Sequence, residues 1–102
     1  MMDKAEFELK DGNVLQIKGE LTFNTVTKLW KASEKLLLTM GPKIRIDLSG
    51  VTHSDSASLA LLTGWQRVAV KNDKSIEFEH LPPQLMNIVK ISRLDEVLNL
   101  GG

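Results

Sequence analysis

The sequence predicts an α/β domain, a mixed four-stranded sheet that opens with a β-hairpin and is covered by three to four helices. Three observations carry this. Two-residue alternation flanks a tight-turn signal near the start. The spacing then changes to a helical period. From there on, short strand-like runs and amphipathic segments take turns, and β-α-β pairs of that kind imply parallel strands with right-handed crossovers.

Residues Ala5 to Lys10 set Ala5, Phe7 and Leu9 against Glu6, Glu8 and Lys10, the pattern of a half-buried strand. Asp11-Gly12-Asn13 is the turn. Val14, Leu15 and Ile17 form the returning strand, which ends near Gly19. From Asn24 to Met40 the apolar positions Val26, Leu29, Trp30, Leu36, Leu37 and Met40, together with Ser33, share one helical face. Lys28, Lys31, Glu34 and Lys35 lie opposite. Asn24 is placed to cap this helix, and Gly41-Pro42 ends it, with Gly suited to a left-handed terminus.

Lys43 to Leu48 is the third strand and Ser49 to Ser54 a loop. A second helix runs from about Asp55 to Lys71. Asn72-Asp73-Lys74 turns the chain, and Ser75 to His80 alternates as the fourth strand. Pro82-Pro83 opens a third helix to about Ile91, with Leu85, Ile88 and Val89 facing inward. Leu94 to Leu98 supplies a last short helix, and Gly101-Gly102 is expected to fray. No repeat or linker divides the chain, so residues 1–102 read as one domain.

Composition narrows the function. The 13 basic and 13 acidic residues cancel, and no Lys/Arg cluster stands out. Nucleic-acid binders gain most affinity from phosphate contacts and show a basic excess, so nucleic acid is disfavoured as a partner. No apolar run approaches the roughly 20 residues of a membrane span. The N-terminus lacks the apolar stretch of a signal peptide, so the expected location is cytoplasmic, with no direct membrane insertion. The chain has no Cys, which excludes disulfides, thiolate metal sites and cysteine nucleophiles.

The informative segment is Ile46-Asp47-Leu48-Ser49-Gly50-Val51-Thr52-His53-Ser54-Asp55-Ser56-Ala57-Ser58-Leu59-Ala60-Leu61-Leu62. A buried strand feeds a polar loop, which opens an apolar helix. The first amides of a helix lack internal partners, and Asp55 or Ser54 can cap them. The same amides and the helix dipole favour an anion, so a phosphate on Ser56 would be tolerated. Ala57, Leu61, Gly64, Trp65 and Val68 project onto one arc, assigned to the core. Ser56, Ala60, Thr63, Arg67 and Lys71 lie opposite, flanked by Leu59 and Val70. That outer face is small and only partly charged near its N-terminal end, where a solvated face would carry more Glu and Lys. Asp55, Ser56, Leu59, Ala60, Thr63 and Arg67 are therefore the candidate partner-binding residues. The plain alternatives are that Asp55 and Ser56 only cap the helix, or that the C-terminal segment covers this face.

The strand Ile44 to Val51 followed by Ser54-Asp55-Ser56-Ala57-Ser58-Leu59-Ala60-Leu61-Leu62 resembles the STAS domain, whose pattern is D-L-S-x-V, then D-S/T-x-G-L opening a helix. The resemblance covers about residues 5 to 100. Within that family, Val14 to Leu21, Leu29-Trp30 and Leu59-Ala60-Leu61-Leu62 look like the small STAS subunits of Mla-type phospholipid transporters. The resemblance implies a non-enzymatic subunit that docks on the cytoplasmic ATPase of an ABC transporter, with the Ser56 helix as docking surface. It implies a role in outer-membrane lipid asymmetry in Gram-negative bacteria, with the chain held at the inner membrane through its partner. The alternative within the family is an anti-sigma-factor antagonist switched by phosphorylation at Ser56. The familiar phosphoswitch reads D-S-S/T-G, whereas this chain reads Asp55-Ser56-Ala57-Ser58.

Catalytic and metal readings are weaker. His53, Asp55 and Ser56 supply the residue types of a hydrolase triad, but neighbours in sequence rarely converge in the required geometry, and no G-x-S-x-G elbow is present. His53, His80 and Asp55 lack a ligand-spacing signature. No phosphate-binding glycine motif indicates a nucleotide cofactor. Trp30 and Trp65 sit at core spacing and read as packing anchors.

Overall fold

The computed structural model describes residues 4–101. Alternation builds the opening hairpin, β1 (Ala5–Lys10) and β2 (Val14–Leu21), paired antiparallel from Ala5↔Gly19 to Lys10↔Val14. Asp11 and Gly12 both take positive φ in the turn. Then follow α1 (Val26–Thr39), β3 (Lys43–Ser54), α2 (Ala57–Lys71), β4 (Ser75–Glu79), α3 (Pro83–Ile91), a single 3-10 turn (Leu94–Glu96) and β5 (Leu100–Gly101).

The sheet has five strands in the order β1-β2-β3-β4-β5, and every pair after the hairpin is parallel. Because the order only increases, right-handed crossovers put every connecting helix on the same face. Side chains agree. Leu15, Ile17, Ile44, Ile46, Leu48, Ile76 and Phe78 are buried under the helices. The alternate positions Glu6, Glu8, Lys18, Arg45 and Glu77 carry charge on the other face. On that face Arg45 grips Glu79 with two hydrogen bonds of 3.0 Å, from Nε to Oε1 and from Nη2 to Oε2. The Arg45 guanidinium holds the Glu79 carboxyl below its ordinary pKa, against the opposing pull of burial.

The expected α/β architecture is present, with corrections. The sheet has a fifth strand, because Phe78↔Leu100 and Glu79↔Gly101 extend it beyond β4. Gly101 is therefore paired rather than frayed, while Gly102 lies outside the described residues, as do Met1 to Asp3. The expected last helix is only the 3-10 turn. The third strand does not stop at Leu48. It runs for 12 residues to Ser54, because β2 continues past Gly19 to Leu21 and offers it a partner. Two register shifts, between Gln16/Lys18 and Gly19/Glu20, absorb the extra residues of β3. Gly50 sits at the first of them, where a Cβ would stand 2.9 Å from the Ile17 carbonyl.

Helix ends differ too. Thr25, not Asn24, is the residue before α1, and Gly41 is not left-handed, since Met40 leaves the helix in extended conformation. Leu62 and Ala69, which the helical projection left out of the core, are fully or nearly fully buried. Both β4 and α3 contact α2, so more of its surface is buried than one arc. Gly64 and Val68 are half-buried instead. Trp65 is a core residue as expected, and its indole Nε1–H donates to Ser33 Oγ at 2.8 Å, which explains the hydroxyl at an apolar position of α1.

Two expected outcomes test this packing. Ser33→Ala leaves a buried indole N–H unpaired and should cost about 1–3 kcal/mol in denaturant unfolding. For Glu79, a lowered folded pKa means stabilisation that is present above the unfolded carboxylate range and lost as pH falls through the folded value. Glu79→Gln should therefore be less stable than the parent at neutral pH, and the gap should close progressively in acid.

Candidate protein-docking surface

The first turn of α2 is built from Asp55 outward. β3 delivers Asp55 beside the end of β2, where its N–H donates to the Leu21 carbonyl at 3.1 Å. Its Oδ1 then accepts the Ala57 N–H at 2.8 Å, and its Oδ2 accepts the Phe23 N–H at 3.3 Å. The Asp55 carbonyl accepts the Ser58 N–H at 3.0 Å and the Ser58 hydroxyl at 2.7 Å. Leu59 N–H donates to the Ser56 carbonyl at 3.1 Å. Ser56 is the formal cap residue, but its hydroxyl makes no capping bond and is exposed.

The amides of Ala57, Ser58 and Leu59 are those that the sequence expects Asp55 or Ser54 to cap and an anion to favour. All are engaged within the chain, and Asp55's own carboxylate occupies the positive end of the helix. A phosphate on Ser56 would not find these three amides free. Of the two residues named as caps, Asp55 does the work. Ser54 is buried, its N–H donating to Gln84 Oε1 at 2.9 Å.

The candidate residues fall on one side of α2. Ser56, Ala60 and Arg67 are exposed. Asp55, Leu59 and Thr63 are half-buried, Leu59 against the core and Thr63 with its hydroxyl donating to the Leu59 carbonyl at 2.8 Å. Among the described residues, the start of this face is exposed at Ser56 and Ala60. Val97 and Leu98 border its far half, where with Thr63, Gln66, Arg67, Val70 and Lys71 they line a depression of about 480 Å³. Arg67 and Thr63 thus stand at a different hollow from Ala60.

Ala60 belongs to a groove whose other wall comes from α1. Val26, Thr27 and Trp30 of α1 face Ala60, Leu61 and Gly64 of α2 across a hollow of about 240 Å³. Trp30 packs as expected, its ring against the bare backbone of Gly64, where a Cβ would stand 3.0 Å from ring carbon Cζ3. It also forms one wall of the groove. Phe23, in the turn before α1, is 76% exposed at the Ser56 end of this surface. The available signals were a glycine inside a helix and a lone aromatic in the polar run Thr22-Phe23-Asn24-Thr25. His53 and His80 are exposed, and among the described residues no group of three or more His, Asp or Glu is placed to hold a metal ion. No helix among them is long and apolar enough to cross a membrane.

The class follows from the architecture. The fold is that of the anti-sigma factor antagonists of known structure. One from Mycobacterium paratuberculosis superimposes with a TM-score of 0.79 at 23% identity, covering 97% of this chain and 85% of that one. The anti-sigma factor antagonist SpoIIAA in its unphosphorylated form gives 0.75 at 15% identity, covering 97% and 89%. A putative anti-sigma factor antagonist from Thermotoga maritima gives 0.76 at 18% identity, covering 93% and 83%. A sequence search of curated proteins finds no match. The family model described as "Mlab, STAS domain" matches residues 7–100, and the chain belongs to that family.

Proposed function

We propose that the chain is a non-enzymatic, cytoplasmic STAS subunit of an ABC-type phospholipid transporter, one that maintains outer-membrane lipid asymmetry. In this reading it binds the transporter's ATPase, supports assembly and activity of the complex, and stays at the inner membrane through that partner. Family membership supports it. The single observation that carries the docking part is the face formed by Ser56, Ala60 and the groove beside Trp30, with Ser56 and Ala60 exposed among the described residues. Small side chains there let another backbone approach closely, and the half-buried indole offers an apolar contact of the kind that dominates interface energies.

A second reading is a phospho-regulated anti-sigma factor antagonist. The fold likeness and the exposed Ser56 hydroxyl favour it. Against it stand the Ala57-Ser58 departure from the phosphoswitch and the engagement of the first α2 amides within the chain.

Ser56→Glu and Ala60→Arg should leave circular dichroism unchanged and weaken ATPase binding by roughly 30-fold or more, the scale of a hot spot. Wild-type affinity in both variants would remove this surface from the interface. Leu61→Asp places an unpaired charge in the core and should unfold the domain instead. Affinity purification that recovers a serine kinase and no ATPase, with Ser56 phosphate seen by mass spectrometry, would favour the second reading.

A further inference from the structure

β3 is longer than the strand beside it. β4 pairs with Lys43 to Asp47 only, so from Leu48 to Ser54 the strand has β2 on one side and, among the described residues, no strand on the other. Ser54, at the end of this stretch, is 2% exposed. A buried N–H without an acceptor would be costly there. The acceptor comes from a side chain: Ser54 N–H donates to Gln84 Oε1 at 2.9 Å, across 30 positions. The Ser54 hydroxyl is buried and has no partner among the described residues, so it does not back up that bond.

The two ends of this bond differ. Gln84 lies in the first turn of α3, behind Pro82 and Pro83, whose rings restrict the backbone, and next to Leu85, which is fully buried. The start of α3 is thereby held, while Gln84 itself is exposed. Ser54 leads straight into Asp55, whose N–H donates to the Leu21 carbonyl at 3.1 Å. The Asp55 carboxylate in turn holds the Ala57 N–H and the Phe23 N–H. One glutamine side chain therefore stands at the head of a series of contacts that runs from α3 to the first turn of α2 and on to the turn before α1.

We propose that Gln84 is a latch that couples the start of α3 to the start of α2, with Ser54 and Asp55 as the link. With the latch closed, the end of β3 stays beside β2 and Asp55 stays on the Ala57 amide. With it open, the Ser54 N–H must turn to water to recover a partner, and Asp55 moves with it. The Ser56 segment thus responds to the state of α3, whatever partner that segment meets.

The test is hydrogen exchange of the full chain, followed amide by amide by NMR. Gln84→Leu keeps most of the bulk and loses the acceptor. Exchange should quicken roughly fivefold at the Ser54, Ala57 and Phe23 amides. The Arg45 amide, bonded to the Asn13 carbonyl near the other end of β3, should keep its wild-type rate. Gln84→Glu retains an acceptor oxygen at the same reach and should show wild-type rates at all three amides. Quickening at Ser54 alone would overturn the coupling. Equal quickening at Arg45 would mean general destabilisation and would overturn it too. Unchanged exchange at Ser54 in Gln84→Leu, or quickening in Gln84→Glu as large as in Gln84→Leu, would remove Gln84 as the latch.

Discussion

Asp55 joins two parts of the chain that are 32 positions apart, through hydrogen bonds from Ala57 N–H and Phe23 N–H to separate oxygens of one carboxylate. Each bond is ordinary by itself. Together they seat the turn before α1 against the start of α2, so the two helices begin at a common level. The groove between Trp30 and Gly64 depends on that alignment. Deeper in the same helix pair, the Trp65 indole and the Ser33 hydroxyl satisfy each other inside the core. One polar contact at the rim and one in the interior thus hold α1 against α2.

The sheet adds a second constraint. Since strands are added in simple order, the helices crowd onto one face and the other is left to water. That open face is strongly charged, with signs interleaved and partly paired, as between Arg45 and Glu79. The lightly charged ground lies on the helical side, at the α1–α2 seam. A chain with no net charge therefore still has a marked division of surface chemistry. The division favours the seam over the sheet as the place where a protein partner would gain from excluding water.

The alternating runs of β1 and β4 and the amphipathic face of α1 were legible because period and burial largely coincide there, the exceptions being exposed Leu9 and Glu79, buried by its pairing with Arg45. The candidate site was half legible. Ser56, Ala60 and Arg67 do lie on the exposed side of α2, as helical projection implies. Projection also assigned Gly64 to the core, whereas it floors a groove, because Trp30 from another helix supplies the wall. The extension of β3 to Ser54 was not legible, because Ser49 to Ser54 carries the polar and glycine content of a loop. Only the neighbouring length of β2 makes it a strand. β5 escaped notice for the same reason: two residues, one of them Gly, have no pattern until β4 pairs with them.

Local order was enough to determine the α/β class, the hairpin, the run of elements and the segment around Ser56. Each depends on residues close in the chain, whose spacing dictates which side chains share a face. Three features required the folded chain: that Asp55 rather than Ser54 caps α2, that the Phe23 N–H shares its carboxylate, and that α1 contributes half of the groove. They depend on contacts between distant segments. A hydrogen bond across 32 positions leaves no period in the sequence and is set only when the sheet aligns its strand ends.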